Sequence, residues 1–324
     1  MEITEKIKQV SQKLDSVKTQ MNKRIIGQEQ LIRNLLIGLL TKGHILLEGA
    51  PGLAKTLTIE TLSKTLHLDF RRIQFTPDLL PSDLIGAQIF NQKEGDFMTK
   101  KGPIFANFIL ADEINRAPSK VQSALLEAMQ EKQVTIGEKS YELDTPFLVL
   151  ATQNPLEQEG TFPLPEAQLD RFLFKTQVFY PREEEEIEIM KTYANNGLEE
   201  IEKTLSKTDI SEMQNLLNDI FVDENIYIYI RDIVFATRKP REHGLMDLAK
   251  YIEYGASPRA SLAFIKASKA LALMNGRHFV IPEDIKEISK DILRHRIGLS
   301  YEAIADDVHI DDVIEKIIDS ISVK

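Results

Sequence analysis

Residues 44–56 read HILLEGAPGLAKT, and this stretch decides the fold. Its first part, Ile45-Leu46-Leu47, is a short apolar run suited to a buried strand, and a glycine-rich turn follows it. Lys55 and Thr56 then lead into apolar residues at helical spacing. A strand, a glycine-rich loop, Lys-Thr and a helix form the layout of a phosphate-binding loop, in which main-chain N–H groups converge on phosphate oxygens. A nucleoside triphosphate suits this layout.

One position of the loop departs from the general pattern G-x-x-x-x-G-K-[ST]. The pattern has glycine directly before the lysine, whereas this chain has Ala54. We expect a negative φ there, because alanine is then acceptable. Taken alone, the segment could also be an ordinary strand-to-helix turn. The residues predicted to bind the nucleotide are Gly49, Ala50, Pro51, Gly52, Leu53, Ala54, Lys55, Thr56 and Leu57, and the hydroxyl of Thr56 is also predicted to ligate Mg²⁺.

The composition limits the class of protein. A chain of 324 residues is long enough for two domains. The formal net charge of −10 disfavours nucleic-acid binding by the whole surface. The absence of cysteine excludes disulfides, thiolate metal sites and cysteine nucleophiles. No apolar run approaches the roughly 20 residues that span a bilayer, and the amino terminus lacks a secretory apolar region. We therefore expect a cytoplasmic protein without a membrane segment.

Short apolar runs alternate with helical patterns up to about residue 181. Four further strands are predicted in 70–75, 105–110, 147–151 and 172–179, and a clear helix in 120–130. This alternation favours a largely parallel sheet with helices on both faces. Two segments, 88–103 and 133–143, contain turn signals between short alternating runs and are predicted to be inserted hairpins. Spacing alone leaves open whether they are functional or surface decoration.

Beyond residue 181 the pattern is helical, so we place a domain boundary there. The four glutamates 183–186 are interpreted as the first turn of a helix, where carboxylates complement the helix dipole. The alternating segment 226–230 suits a strand or a helix, and its surroundings favour a helix. The predicted helices are 183–193, 210–221, 226–238, 245–254, 259–274, 282–296 and 311–321.

Polar side chains follow two of the predicted strands. Asp112 and Glu113 end one apolar run, and Asn154 comes just after another. Ligands of an open α/β sheet bind at the carboxyl ends of its strands, where the phosphate loop also begins. We predict that Asp112 helps to hold Mg²⁺, that Glu113 polarises the attacking water, and that Asn154 orients this water. The alternatives are an acidic start to a solvent-exposed loop and a simple Asn-Pro turn.

In combination these segments resemble the AAA+ ATPases and, more closely, the MoxR family. The blocks that carry the resemblance are LLEGAPGLAKT (46–56), ILADEINRAPSKVQSALLEAMQEKQVT (109–135), LVLATQNPLEQEGTFPLPEAQLDRF (148–172) and GASPRA (255–260). Ala54 is similar to what MoxR-type loops carry. The implied fold class is α/β: a P-loop αβα core with a five-stranded, mostly parallel sheet of AAA+ type, followed by an all-α lid domain. We divide the chain into an amino-terminal helix (1–21), the core with its two hairpins (22–181) and the lid (182–324).

The resemblance implies roles for further residues. Gly27 and Gln28 look like the segment that lines the adenine pocket, and Asn154 looks like sensor 1. Arg171 looks like the arginine finger, which reaches the γ-phosphate bound by the neighbouring subunit. Arg259 looks like sensor 2, which contacts the γ-phosphate within its own chain. The alternatives are an ion pair with a nearby carboxylate for Arg171 and a cation on a helix face for Arg259. The two hairpins resemble the helix-2 insert and the pre-sensor-1 hairpin of the AAA+ clade that includes MoxR proteins.

The implied function is Mg²⁺-dependent ATP hydrolysis at sites shared between subunits of a homo-oligomeric ring, expected to be a hexamer. Such a ring would remodel or assemble a client protein, as a chaperone does, and the expected client is a protein with a von Willebrand factor A (VWA) domain that receives a metal. One alternative is a nucleic-acid-dependent AAA+ motor, which the acidic chain and the mixed charges of the hairpin tips disfavour. The other is an ATP-binding switch with negligible turnover, which the complete set of predicted catalytic residues disfavours.

Overall fold

The computed structural model of this protein describes residues 3–50, 52–154, 160–195 and 198–323. Contacts between residues divide the chain into two compact units. The sheet unit consists of Ser16–Arg171 and Thr176–Ser211. The helical unit consists of the chain up to Asp15, Phe172–Lys175 and the chain from Glu212 onward. The division into segments 1–21, 22–181 and 182–324 stays a prediction.

The secondary structure alternates in the first half of the chain and is mainly helical in the second. The helices are α1 (Ile3–Asn22), α2 (Glu29–Thr41), α3 (Lys55–Leu66), α4 (Pro81–Ile85), α5 (Ser119–Glu131), α6 (Glu166–Leu169), α7 (Glu183–Asn195), α8 (Lys207–Leu216), α9 (Glu224–Arg238), α10 (Pro258–Met274), α11 (Pro282–Leu293), α12 (Tyr301–Ala305) and α13 (Ile310–Ser320). The strands are β1 (Ile45–Glu48), β2 (Phe70–Gln74), β3 (Gly86–Asn91), β4 (Asp96–Lys101), β5 (Phe108–Asp112), β6 (Gln133–Ile136), β7 (Lys139–Glu142), β8 (Leu148–Gln153), β9 (Phe174–Gln177), β10 (Ile252–Tyr254) and β11 (Gly298–Leu299).

The main sheet has five strands in the order β2-β5-β8-β1-β9, which confirms the predicted P-loop α/β core. The pairs β2–β5, β5–β8 and β1–β8 are parallel. Strands β1, β5 and β8 are apolar and buried along nearly their whole length, as expected for a parallel sheet covered on both faces. The predicted strand 105–110 begins later, at Phe108. The side chain of Asn107, just before it, bonds to the main chain of Asp69 and Pro146.

Both predicted hairpins are present in the sheet unit. The first consists of β3 and β4 and the second of β6 and β7, each an antiparallel pair. The strands of the first hairpin approach closely at its base, where a Cβ on Gly86 would lie 2.7 Å from the main-chain nitrogen of Gly102. A Cβ on Gly102 would lie 2.6 Å from the nitrogen of Gly86. Real Cβ contacts are longer, so only glycine fits at either position, and we call this pair the glycine neck.

The helical unit contains α9, α10, α11 and α13, which pack together. Segment 226–230 lies in α9, so its helical interpretation is confirmed. The predicted helix 245–254 is wrong, because the structure has a 3₁₀ turn at Met246–Leu248 and strand β10 there. Strand β10 pairs with β11, and this distant main-chain partner is not visible in local periodicity. None of the helices within the described ranges is long and apolar enough to cross a membrane.

Candidate nucleotide-binding site

A cavity of about 390 Å³ lies in the sheet unit where β1, β5 and β8 end. This volume falls within the usual range of small-molecule sites. The phosphate loop, the two carboxylates and Asn154 all contribute to it, so the structure brings these predicted residues together. Its lining consists of Gly49, Gly52, Leu53, Ala54, Lys55, Thr56, Leu57, Arg72, Asp112, Glu113, Thr152 and Asn154.

Lys55 lines this cavity and is the first residue of α3. Its ammonium group donates to the carbonyl oxygen of Gly49 at 2.6 Å. Burial lowers the pKa of Lys55, and the negative charges of Asp112 and Glu113 only partly oppose this shift. A partly desolvated cation at a helix N-terminus is a favourable environment for a phosphate, because an anion restores the interactions that the ammonium group has lost.

The loop main chain corrects the expectation for Ala54. Ala54 has a φ of 57° and a ψ of 15°, which is the left-handed conformation and not the negative φ that we expected. This conformation costs a non-glycine residue roughly 1–2 kcal/mol, so the loop holds Ala54 against its own preference. Gly52 has a φ of 83°, which glycine adopts freely. Pro51, also predicted to bind nucleotide, lies outside the described residues.

Asp112 ends β5 and is held by two neighbours. Its Oδ1 accepts a hydrogen bond from the hydroxyl of Thr152 at 2.7 Å, and its Oδ2 accepts one from Nε of Arg72 at 3.0 Å. The same Thr152 hydroxyl accepts from the main-chain N–H of Glu113 at 2.8 Å. Thr152 therefore links the side chain of one carboxylate residue to the main chain of the next. We did not predict this residue, although it is the first polar residue of β8 after four apolar ones.

Glu113 has a left-handed backbone with a φ of 56°. Its Oε2 accepts hydrogen bonds from Nε2 of Gln74 at 2.7 Å and from Nη1 of Arg116 at 3.1 Å. Gln74 and Arg72 lie at alternate positions of the edge strand β2, so both side chains are on the same side of that strand. We did not predict either residue. The signal was the presence of polar residues at the alternate positions 72 and 74 of this strand.

The donors at this site fit a magnesium-bound triphosphate. Within the described ranges, no three His, Cys, Asp or Glu side chains are grouped so that they could hold a metal ion. Mg²⁺ beside phosphates needs only one or two protein oxygens, and the cavity offers the hydroxyl of Thr56 and the carboxylate of Asp112. The cavity thus combines an ammonium group, threonine hydroxyls and carboxylates, which is the donor set of such a site.

Several predicted residues do not line this cavity. Gly27 has a φ of 73° and lies against the carboxylate of Glu185, and the side chain of Gln28 donates to the carbonyl of Phe179 at 3.2 Å. Ala50 belongs to the described part of the loop but not to the lining. These three positions stay predictions for nucleotide binding.

The two predicted arginines also lie outside the lining. Arg171 is exposed and belongs to a second cavity of about 410 Å³ in the sheet unit. Its Nη1 donates to the carbonyl of Leu126 at 3.4 Å. Arg259 is exposed in the first turn of α10, in the helical unit, where the side chain of Ser257 caps the helix by accepting from its N–H. The roles predicted for Arg171 and Arg259 stay predictions.

This chain is similar in sequence and in fold to several known proteins. Residues 44–174 match the family described as "ATPase family associated with various cellular activities (AAA)", and residues 246–317 match the AAA lid domain. Chaperone MoxR1 of Mycobacterium tuberculosis is 50% identical over 92% of this chain and 79% of its own length. Protein YeaC of Bacillus subtilis, which is uncharacterized, is 42% identical over 94% and 92%. The crystal structure of an ATPase candidate from Cytophaga hutchinsonii is 54% identical and has a TM-score of 0.93, covering 99% of this chain and 97% of its own.

Proposed function

Because this chain belongs to the MoxR family of AAA+ ATPases, we propose that it hydrolyses ATP with Mg²⁺ at sites shared between the subunits of a ring. The observation that carries the proposal is the cavity that contains Lys55, Asp112, Glu113 and Asn154 together. Phosphoryl transfer needs positioning and charge stabilisation more than covalent chemistry, and these side chains supply both.

The phosphate loop binds the substrate in this proposal. Main-chain N–H groups of the loop and the ammonium group of Lys55 contact the phosphates, and Gly27 and Gln28 contact the adenine. Thr56 and Asp112 hold Mg²⁺, and Thr152 and Arg72 keep the carboxylate of Asp112 in place. When bound, Mg²⁺ neutralises part of the charge on the phosphates.

The attacking water is handled by two side chains at the strand ends. Glu113 accepts a proton from the water, and Asn154 orients the water toward the γ-phosphate. Thr152 fixes the main chain of Glu113 through its hydroxyl. The guanidinium groups of Arg259 in the same chain and of Arg171 from the neighbouring subunit stabilise the developing negative charge. Turnover then requires assembly, because one chain lacks a complete site.

The ring would use this cycle to remodel a client protein. We propose a hexamer that acts as a chaperone in the cytoplasm, with a VWA-domain protein as client and metal insertion as the step it assists. The proposal draws support from the similarity to a relative named Chaperone MoxR1, since that name describes work on other proteins. The choice of a VWA-domain protein as client comes from the resemblance to the MoxR family and not from that name.

The shared site is tested by Arg171→Ala, with Arg71→Ala as the matched control. Arg71 is an exposed arginine of the same unit with no proposed role. Phosphate release is measured with Mg²⁺-ATP over a wide range of protein concentration, and ring size is measured by sedimentation. We expect wild-type specific activity to rise with concentration, and Arg171→Ala to assemble but lose about 10³-fold or more of its turnover. Assembled Arg171→Ala with wild-type turnover would contradict the proposal.

A further inference from the structure

Three consecutive residues of the helical unit donate hydrogen bonds to one short main-chain segment. They are Arg294, His295 and Arg296, which directly follow α11. Their acceptors are carbonyl oxygens of Phe172–Lys175, which belongs to the same unit. All three donors are buried, with exposed fractions of 7%, 6% and 5%. We call these three residues the carbonyl clamp.

Arg296 makes the largest number of these contacts. Its Nη2 donates to the carbonyl of Phe172 at 2.6 Å, and its Nη1 donates to the carbonyl of Leu173 at 3.1 Å. The same Nη1 also donates to the carbonyl of Ile292 in the last turn of α11. Phe172 and Leu173 precede β9, so their carbonyls lie outside the main sheet. The rigid planar guanidinium group therefore fixes two successive peptide units relative to α11.

Arg294 holds the other end of the segment. Its Nη1 donates to the carbonyl of Lys175 at 2.8 Å, and its Nε and Nη2 each donate to Asp311 at 2.7 Å. Burial opposes the charge of Arg294, but the hydrogen bonds from its guanidinium to Asp311 and the charge of Asp291 raise its pKa above the ordinary value. A buried cation with this many partners has one favourable arrangement, because moving it would leave charge without compensation.

His295 contributes a neutral donor. A carbonyl oxygen only accepts, so the contact of 3.1 Å between Nε2 and the carbonyl of Phe172 places the ring proton on Nε2. Nδ1 is buried and has no hydrogen-bond partner among the described residues. Burial and the adjacent positive charge of Arg296 lower the pKa of His295 well below its ordinary value. The ring is thus held as one neutral tautomer, which keeps this bond formed.

The clamped segment begins directly after Arg171. We propose that Arg294, His295 and Arg296 position Arg171 for its action on the nucleotide of the neighbouring subunit, by fixing the main chain that follows it. This inference rests on the proposed function, in which Arg171 completes a shared site. The three clamp residues are positioning residues, since they act only through Arg171. Misplacing a catalytic group by about 1 Å can cost roughly 100-fold in rate, so the expected effect is large.

The test uses two full-length variants that complement each other. Lys55→Ala lacks the loop lysine but keeps Arg171, whereas Arg171→Ala keeps the loop but lacks the guanidinium group. Each alone is expected to be inactive. Mixed rings contain sites in which an intact loop faces an intact Arg171, so phosphate release should return. If mixed rings assemble without any recovery, the shared site is overturned, and this inference falls with it.

Arg296→Gln is then added to one chain of the mixture at a time. On the Lys55→Ala chain, which supplies Arg171, we expect the recovered kcat to fall by roughly 10- to 100-fold while KM for ATP is unchanged. On the Arg171→Ala chain, which supplies the loop, we expect little change. An equal loss from both placements, or a loss from neither, would overturn the inference while leaving the shared site intact.

Two further comparisons separate positioning from general damage to the fold. Arg277→Gln removes another partly buried arginine of the helical unit, which pairs with Asp284, and it should act equally from either chain. His295→Gln keeps an N–H donor near the position of Nε2, whereas His295→Leu does not. We expect the first to retain the recovered activity and the second to lose it, only when placed on the chain that supplies Arg171. If Arg296→Gln fails to assemble, the two His295 variants test whether the carbonyl clamp positions Arg171.

Discussion

At the scale of single residues, two non-glycine residues of the candidate site have left-handed backbones. Ala54 precedes α3, and Glu113 follows β5. Such conformations persist only where the surrounding structure enforces them, and they are concentrated at functional sites. Ala54 lies where the loop enters α3, Glu113 lies directly after β5, and both residues line the same cavity. Two of the left-handed residues therefore lie in the site, whereas others, such as Lys42 and Asp307, lie outside it.

The hydroxyl of Thr152 is predicted to stabilise the folded chain, which Thr152→Val tests without changing the side-chain shape. The substitution removes the acceptor of the Glu113 N–H and one donor to Asp112. We expect a loss of about 1–3 kcal/mol in the free energy of unfolding, measured with denaturant. Thr61→Val is the matched control, because the Thr61 hydroxyl is buried and has no hydrogen-bond partner within the described ranges. Its substitution should be neutral or stabilising, and equal losses in both variants would contradict the prediction.

Local sequence predicted the residues that carry the charges of the site but not those that hold them. Asp112 ends a buried strand, Asn154 directly follows another, and Lys55 comes after the loop that leaves a third, so their positions follow from the sheet edge. Thr152 and Arg72 contact Asp112 across neighbouring strands from 40 residues away. Such partners depend on strand order and register, which periodicity does not reveal. The prediction of a negative φ at Ala54 was wrong for a similar reason, since the loop as a whole sets this angle.

At the scale of elements, the sequence predicted strands and helices where their pattern is long and periodic. The five strands of the main sheet and both hairpins were predicted within a few residues of their positions. The helix predicted at 245–254 was wrong because strand β10 is defined by its pairing with β11. A Cβ on Gly298 would lie within 2.5 Å of the Tyr254 ring, so a glycine over 40 residues away lets that ring fit. Short strands of this kind depend on the tertiary fold.

His44 joins three elements of the sheet unit. It precedes β1, its Nδ1 accepts from the main-chain N–H of Val149 in β8, and its Nε2 bonds to the carbonyl of Met129 in α5. Burial, more than the nearby charge of Lys132, lowers its pKa to about 4 and outweighs the hydrogen bond to Met129, which raises it. The neutral ring satisfies both groups, and a protonated ring would lose its bond to Val149.

This arrangement predicts that acid destabilises the sheet unit through His44. The unfolded chain binds the proton near pH 6.5, whereas the folded chain binds it only near pH 4. The stability that depends on neutral His44 is therefore fully present above pH 6.5 and is lost as the pH falls from 6.5 to about 4. The full effect is up to ~3 kcal/mol. Unfolding free energies measured across this pH range should fall less steeply for His44→Gln than for the unmodified chain. The same substitution at the exposed residue His278 serves as the control. An unchanged slope in His44→Gln would be evidence against the lowered pKa of His44.

At the scale of the whole molecule, nucleotide binding should raise the stability of the chain. A ligand at 100 times its Kd that binds only the folded state contributes about 2.7 kcal/mol. We expect a non-hydrolysable ATP analogue with Mg²⁺ to raise the melting temperature in proportion to the logarithm of its concentration. Lys55→Ala should abolish the shift, whereas Lys64→Ala, which alters an exposed lysine of the same helix, should keep it. An equal shift in both variants would place the ligand elsewhere.

The glycine neck fixes where the first hairpin begins, so a change in the length of this hairpin would occur at its turn. Residues inserted in pairs at its turn would extend the ribbon by about 3.4 Å per residue of each strand and keep every side chain on its original face. A single inserted residue would reverse the faces of one strand, and a side chain at Gly86 or Gly102 would force the strands apart. Related ATPases can therefore differ in how far this ribbon reaches while their nucleotide chemistry stays the same.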